Sequence, residues 1–181
     1  KEQIWKSYAE LFRKSSKNIT IMCAYFLPGT TYKQILKNAV RRGVEVKVIL
    51  AGQSDIKIAK NAERYLYRWM LRNGIKIYEY QPTVLHAKVA VADDNWLTVG
   101  SYNINDISAY ASIELNLEVK NKLLAQELNT ELLRITEHES EHINPEKQLS
   151  IFSFTHIKQL LSYYTIRVML KLSTFYFRQH E

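Results

Sequence analysis

Helical and extended hydrophobic periodicities alternate along this chain from Ile4 to Val119. That alternation predicts an α/β fold with a mixed, mostly parallel sheet flanked by helices. Glycine-bearing steps (Pro28-Gly29, Arg42-Gly43, Asn73-Gly74) fall between the periodic segments. The chain has 181 residues, 46% of them hydrophobic and 24% charged, enough to bury one core and carry an appendage.

Ile4 to Lys14 reads as an amphipathic helix with Ile4, Tyr8, Leu11 and Phe12 on one face. Asn18 to Phe26 reads as a buried strand closed by Leu27-Pro28-Gly29. Thr31 to Arg42 is helical with Gly43 as its stop. Val44 to Ala51 alternates as a strand, Asp55 to Arg72 forms a second helix ended by Asn73-Gly74, and Ile75 to Tyr80 returns as a strand. Two short strands follow, Leu85 to Ala92 and Trp96 to Gly100. Another lies near Ile113 to Val119, and a helix runs from Asn121 to about Glu137. The polar run His138 to Gln148, with Pro145, divides a domain at 1–140 from a linker and tail at 141–181.

The chemistry concentrates in the two short strands. His86, Lys88, Asp93, Gly100, Ser101 and Asn103 fit the pattern H-x-K-x4-D-x6-G-S-x-N. Strand side chains alternate faces, so His86 and Lys88 point together while Ala87, Val89 and Val91 enter an apolar layer. Asp93 falls on the opposite parity and reads as a structural anchor. Ser101 and Asn103 share a parity just past the second strand. Pairing the strands gathers a histidine, a fixed cation and neutral donors at one sheet end, which is what a phosphodiester transition state requires. The pattern resembles the signature of the phospholipase D superfamily.

The formal net charge is +7. From Leu149 to His180 the chain holds Lys158, Arg167, Lys171 and Arg178 and no acidic residue; the rest carries 21 basic and 18 acidic residues. A basic balance suits anionic partners, nucleic acid or anionic lipid. The tail lacks an uninterrupted apolar run of about 20 residues. Its aromatic, basic, acid-free composition fits either an interfacial membrane helix or a helix packed on its own domain. As a helix it would gather His156, Arg167, Lys171 and Arg178 on one face. The single cysteine, Cys23, reads as a buried small hydrophobe, and no internal disulfide is possible, which fits a reducing compartment. The chain opens Lys1-Glu2-Gln3-Ile4, without an initiator methionine or signal peptide, and reads as a piece of a longer protein.

Beyond the motif, Ala24-Tyr25-Phe26-Leu27-Pro28-Gly29, the segment Ala39 to Val48, Gly74 to Tyr80, and Asn116-Leu117-Glu118 together resemble the C-terminal half of bacterial cardiolipin synthases, particularly the type-B form. The resemblance runs from Ile4 to Val119 and, more faintly, through the tail. It implies a phospholipase D-like half that needs a second H-x-K-x4-D half, from the same parent chain or from a homodimer mate. In such a pair one histidine forms a phosphohistidine and the other serves as acid and base, with no metal or cofactor. The resemblance gives His86 the acid/base role, Lys88 and Asn103 the phosphate, Ser101 a hydroxyl, and Glu118 the orientation of the His86 ring. Tyr25 and Phe26 become candidate substrate-binding residues. It further implies an anionic phospholipid substrate, phosphatidylglycerol first, and peripheral attachment to the cytoplasmic face of a bacterial membrane. Where the family usually has Leu-Asp after Gly-Ser-x-Asn, this chain has Ile104-Asn105, with Asp106 following.

Other patterns carry less. His138-Glu139-Ser140-Glu141-His142 matches the H-E-x-x-H zinc motif, but its flanks are polar and acidic, Pro145 follows, and no third ligand is evident. Asn18-Ile19-Thr20 is a glycosylation sequon opening a buried strand, and the glycines form no phosphate-cradling loop. Three functions compete: phosphatidyl transfer that makes cardiolipin, a homodimeric phosphodiesterase or nuclease of the same superfamily, and a half that only binds phosphate or lipid.

Overall fold

The computed structural model describes residues 3–145 and 154–179, with side chains to Leu172. The elements are α1 (Gln3–Lys14), β1 (Asn18–Cys23), α2 (Thr30–Arg41), β2 (Glu45–Ala51), α3 (Lys57–Arg72), β3 (Lys76–Tyr80), β4 (Lys88–Ala92), β5 (Trp96–Gly100), α4 (Asp106–Tyr110), β6 (Asn116–Lys120), α5 (Lys122–His138), β7 (Ser140–His142) and α6 (Phe154–Gln179). The strands form one mixed sheet in the order β6-β5-β4-β1-β2-β3-β7.

Helical crossovers α2 and α3 make β1, β2 and β3 parallel. They place both helices, with α1, on one face of the sheet over Ile21, Val48, Leu50 and Ile77. Helix α5 covers the other face through Ala125 and Leu132, against Met22, Ile49, Val91 and Leu97. Central strands buried on both faces explain why β1 and β2 are near-continuous apolar runs. Gly43 and Gly74 end α2 and α3 with φ of +89° and +76°, a conformation that disfavours a Cβ.

The antiparallel share is larger than the sequence suggested. Strand β4 pairs antiparallel with β1 and β5, β5 with β6, and β3 with β7. The turn between β4 and β5 is too short for a crossover helix, so those strands can only fold back on one another. The sheet also passes the expected boundary at residue 140: β7 adds an edge strand on β3, with Tyr80 facing Ser140.

The tail helix α6 lies along α3 and touches α4. The Tyr163 ring sits 4.8 Å from Tyr65, and Lys33 Nζ donates to the Tyr163 hydroxyl at 3.0 Å. The basic face expected of the tail is divided. The rings of His156 and Tyr65 lie 5.6 Å apart, Arg167 sits over the Tyr163 ring, and Lys171 is exposed. The Arg178 side chain and the tail's expected start at Leu149 lie outside the described residues. Phe154, Ile157, Leu161, Tyr164, Val168 and Leu172 form an exposed apolar ridge on the outer side. Among the described residues, no helix is long and apolar enough to cross a membrane.

Candidate active site

Strand β1 is where the sheet changes direction: β2 lies parallel on one side and β4 antiparallel on the other. In open α/β sheets, ligands sit outside the carboxyl ends of the strands at such a switch point. The C-terminal end of β1, the start of β4, the end of β5 and the start of β6 all meet there.

Lys88 opens β4 opposite Cys23 and is only 6% exposed. Its Nζ donates to the His86 carbonyl at 2.9 Å. It closes no ion pair with a carboxylate among the described residues. Burial pushes its ammonium below the ordinary lysine range, opposed by the neighbouring Cys23 and Glu114. His86 precedes the strand and is exposed. Extended pairing continues to its neighbour, where the Ala87 carbonyl accepts the Ala24 N–H at 3.0 Å.

The Gly-Ser-x-Asn turn is pinned by its variable residue. Tyr102 is buried, its ring 5.4 Å from that of Tyr8. Burying such a ring stabilises by roughly 1.5–3 kcal/mol and fixes the two polar residues beside it. A Cβ at Gly100 would overlap the Leu115 carbonyl oxygen and the Asn116 side chain, so the close approach of β5 and β6 requires glycine. Asn103 Oδ1 accepts the Tyr25 N–H at 3.2 Å. That leaves its amide hydrogens, which no acceptor takes among the described residues, available to a ligand. The departure Ile104-Asn105 is accommodated: Ile104 is buried, and Asn105 caps α4 by accepting the Ser108 N–H at 2.9 Å.

Asp93 lies at the other end of β4, in left-handed conformation (φ 53°). Its carboxylate accepts the N–H groups of Ser16 (2.9 Å), Lys17 (2.8 Å) and Asn18 (3.2 Å) and the Ser16 hydroxyl. Burial pushes its carboxyl up, but those donors outweigh it and hold the group below the usual carboxylate range.

Three expected roles change. Glu118 faces Thr98 and lines a groove with α1 at the Asp93 end of the sheet, so it is not the carboxylate beside His86. The residue at the Lys88 end is Glu114, which accepts a hydrogen bond from Ser101 and acts on Lys88 through space. Glu114, Asn116 and Glu118 share a strand parity; the pairing of Gly100 with Asn116 decides which end each occupies. Phe26 is fully buried in the main core, because it takes the face opposite Tyr25 at the strand end, and it cannot meet a substrate. Ser101 is exposed and braces Glu114 and β6, its Oγ also accepting the Leu115 N–H at 3.0 Å.

A largely buried ionic network between α3 and β3, which no sequence motif marks, supports the site. Lys60 Nζ meets Glu63 at 2.8 Å and Glu79 at 3.1 Å, Arg64 meets Glu79 at 3.0 Å, and the Tyr67 hydroxyl donates to Glu79 at 2.7 Å. Burial holds Glu63 above the ordinary carboxylate range. Its other oxygen accepts the Phe26 N–H at 3.2 Å, fixing the loop that presents Tyr25. The His138 and His142 of the zinc-like motif stand apart, one ending α5 and the other in β7 against the Tyr78 ring.

A cleft of about 330 Å³ opens from Asn103, Glu114 and Tyr25 toward α4 and α6.

The family model described as the cardiolipin synthase, phospholipase D-like domain matches residues 8–136. Cardiolipin synthase B of Salmonella typhi is 30% identical over 167 residues, 92% of this chain and 40% of that protein. The chain thus spans about 40% of the length of that curated relative. Phosphatidylserine synthase of Haemophilus influenzae Rd KW20 superposes with a TM-score of 0.69 at 16% identity, covering 94% of this chain and 44% of that one. Nuc, a phospholipase D family member from Salmonella typhimurium, superposes with a TM-score of 0.65 at 17% identity, covering 77% of this chain and 90% of that one.

Proposed function

This chain belongs to the phospholipase D-like domain family of cardiolipin synthases, and from that premise we propose that it supplies one half of an active site for phosphatidyl transfer, forming cardiolipin from phosphatidylglycerol. The observation that carries the reading is Lys88, a buried cation without a carboxylate partner among the described residues, which like Asn103 lies next to Cys23 at the end of the sheet. Burying an unpaired charge is costly, and a phosphate supplies the missing anion.

In this mechanism the phosphodiester lies against Lys88 Nζ and the Asn103 amide. The histidine of a second half attacks phosphorus, the bond to the leaving glycerol breaks, and His86 gives that oxygen its proton. A second phosphatidylglycerol hydroxyl then returns its proton to His86 and attacks the phosphohistidine, releasing the histidine. Glu114 takes the positioning role that the resemblance gave to Glu118. The second half is well served by the exposed apolar edge of Val99, Ile113, Leu115 and Leu117, which adjoins Ser101 and Glu114. The outer ridge of α6, flanked by exposed Lys158 and Lys171, suits a bilayer interface and a peripheral position on the cytoplasmic side.

Lipid is favoured over nucleic acid by the extent of the fold matches. Superposition on the phosphatidylserine synthase takes in 94% of the chain and so must include most of α6, whereas Nuc matches 77%. The homodimeric phosphodiesterase remains the second reading, since this chain aligns with 90% of Nuc and one motif copy can be doubled by symmetry.

The test is phosphatidyl transfer by the full-length parent protein on phosphatidylglycerol vesicles, with an oligonucleotide in parallel. Cardiolipin formation is expected in the wild type and should fall about 10²–10⁴-fold in His86→Ala. Oligonucleotide cleavage without lipid turnover would move the assignment to the second reading. Absence of co-sedimentation with the same vesicles would remove the membrane contact.

A further inference from the structure

We propose that the cleft opening from Asn103 seats an acyl chain of the phospholipid whose phosphate Lys88 and Asn103 hold; the inference rests on the phosphatidyl-transfer reading and adds to it a subsite and the residues that form it. The cleft measures about 330 Å³, within the usual range of ligand pockets. Its polar end is Asn103 with Tyr25 and Glu114. Beyond them the walls come from separate elements: Leu27 after β1, Ile56 and Ala59 at α3, Ile107 on α4, and Ile166 and Leu170 on α6.

Of the remaining polar lining residues, Ser112 gives its N–H to the Ile107 carbonyl, and Asn105 and Ser108 bond within the wall. Asn105 caps Ser108 and donates from Nδ2 to the Tyr25 carbonyl, and the Ser108 hydroxyl accepts the Asn103 N–H. Beyond the polar end, what faces the cleft is therefore mainly hydrocarbon from Leu27, Ile56, Ala59, Ile107, Ile166 and Leu170. Ile56 and Ile107, 46% and 41% exposed, form an apolar lip that a hydrocarbon chain would cover.

Charge argues for the same occupant. Among the described residues no lysine or arginine lines the cleft, and Glu114 stands at its inner end. A polynucleotide would carry further phosphates away from the scissile one and needs cations along its track. An acyl chain needs none, and continuity with Asn103 places its headgroup on the phosphate-binding residues. Helix α6 lies beyond the matched family region and supplies a whole wall, which gives the tail a role in substrate choice.

The experiment compares long-chain and short-chain phosphatidylglycerol, dioleoyl against dihexanoyl, in mixed micelles with the full-length protein. Ala59→Phe fills the cleft from α3. Ile107→Asp charges its exposed lip and puts little of the fold at risk. In both variants the ratio of long-chain to short-chain kcat/KM is expected to fall about tenfold or more. An unchanged ratio in both, with wild-type transfer intact, would overturn the subsite while leaving the phosphatidyl-transfer reading standing. No lipid transfer by the wild type would overturn that reading and the subsite with it.

Discussion

The two ends of strand β4 follow opposite rules. At the Asp93 end, the protein answers its own charge: the carboxylate is met by backbone N–H groups of Ser16, Lys17 and Asn18 and by a hydroxyl. At the Lys88 end it does not. Among the described residues, buried Lys88 has only the His86 carbonyl as hydrogen-bond partner and no acceptor takes the Asn103 amide hydrogens, while His86 is exposed. Both ends belong to one sequence motif, so the motif is two devices joined by a strand. One ties the loop after α1 to the sheet; the other leaves donors waiting for an anion. Buried charges are normally paired with an opposite charge, and Lys88, hydrogen-bonded but without a carboxylate among the described residues, departs from that rule.

The largest expected effect breaks the open end. Lys88→Met should lower phosphatidyl transfer about 10²–10³-fold, the range for losing one pre-placed charge-stabilising donor. The same substitution should leave the melting temperature unchanged or raise it, because it removes a charge that burial penalises. The sign follows from titration. The folded pKa of Lys88 lies below its unfolded value, so the unfolded state binds the extra proton between the two. The penalty is present at neutral pH and is relieved as pH rises through the depressed pKa, so wild-type stability should gain on the alkaline side and Lys88→Met should lose that gain. A clear drop in melting temperature would show that Lys88 is structural and the contrast between the two ends false.

The next effect sharpens the comparison by separating two carboxylates on one strand. Glu114→Gln should lower activity about tenfold and move the pH–rate profile, since a group that positions or charges the acid/base acts through its ionisation. Glu118→Gln, at the Asp93 end, should leave kcat/KM within about twofold and the profile unmoved, as for most surface substitutions. The reverse pattern would restore the role that the resemblance assigned to Glu118.

Much of this was readable in the sequence because periodicity is local. The helices and strands follow from where apolar residues recur, and the H-x-K-x4-D-x6-G-S-x-N spacing named the strand ends that meet. What failed to show was register and depth. Parity alone cannot tell Glu114 from Glu118, because residues four apart on a strand face the same way and only pairing with Gly100 sets their ends. Phe26 read as a site residue beside Tyr25, but alternation at the strand end sends it to the core. Nothing in the sequence marks Lys60, Glu63 and Glu79 as buried; they are buried because they complete one another across α3 and β3. The tail's composition left a membrane helix and a packed helix equally open. Tyr163, Ile166 and Leu170 pack it on the domain, while its outer side stays apolar.

The smallest effect tests the closed end. Asp93→Asn keeps a side chain that tolerates the left-handed backbone and retains one acceptor oxygen, so it isolates the charge. Loss of charge-assisted hydrogen bonds at this half-exposed position should cost about 1 kcal/mol after solvent screening, read as a shift in the urea midpoint at neutral pH. The folded pKa of Asp93 lies below its unfolded value, so this stability is fully present above about pH 4 and lost as pH falls through the folded pKa. The wild type should therefore converge on the variant in acid, while activity per folded molecule stays near wild type throughout. A variant as stable as the wild type at neutral pH, or one whose folded fraction is inactive, would mean that Asp93 serves the same end of the strand as Lys88, and the division of the motif into a tie and a site would fail.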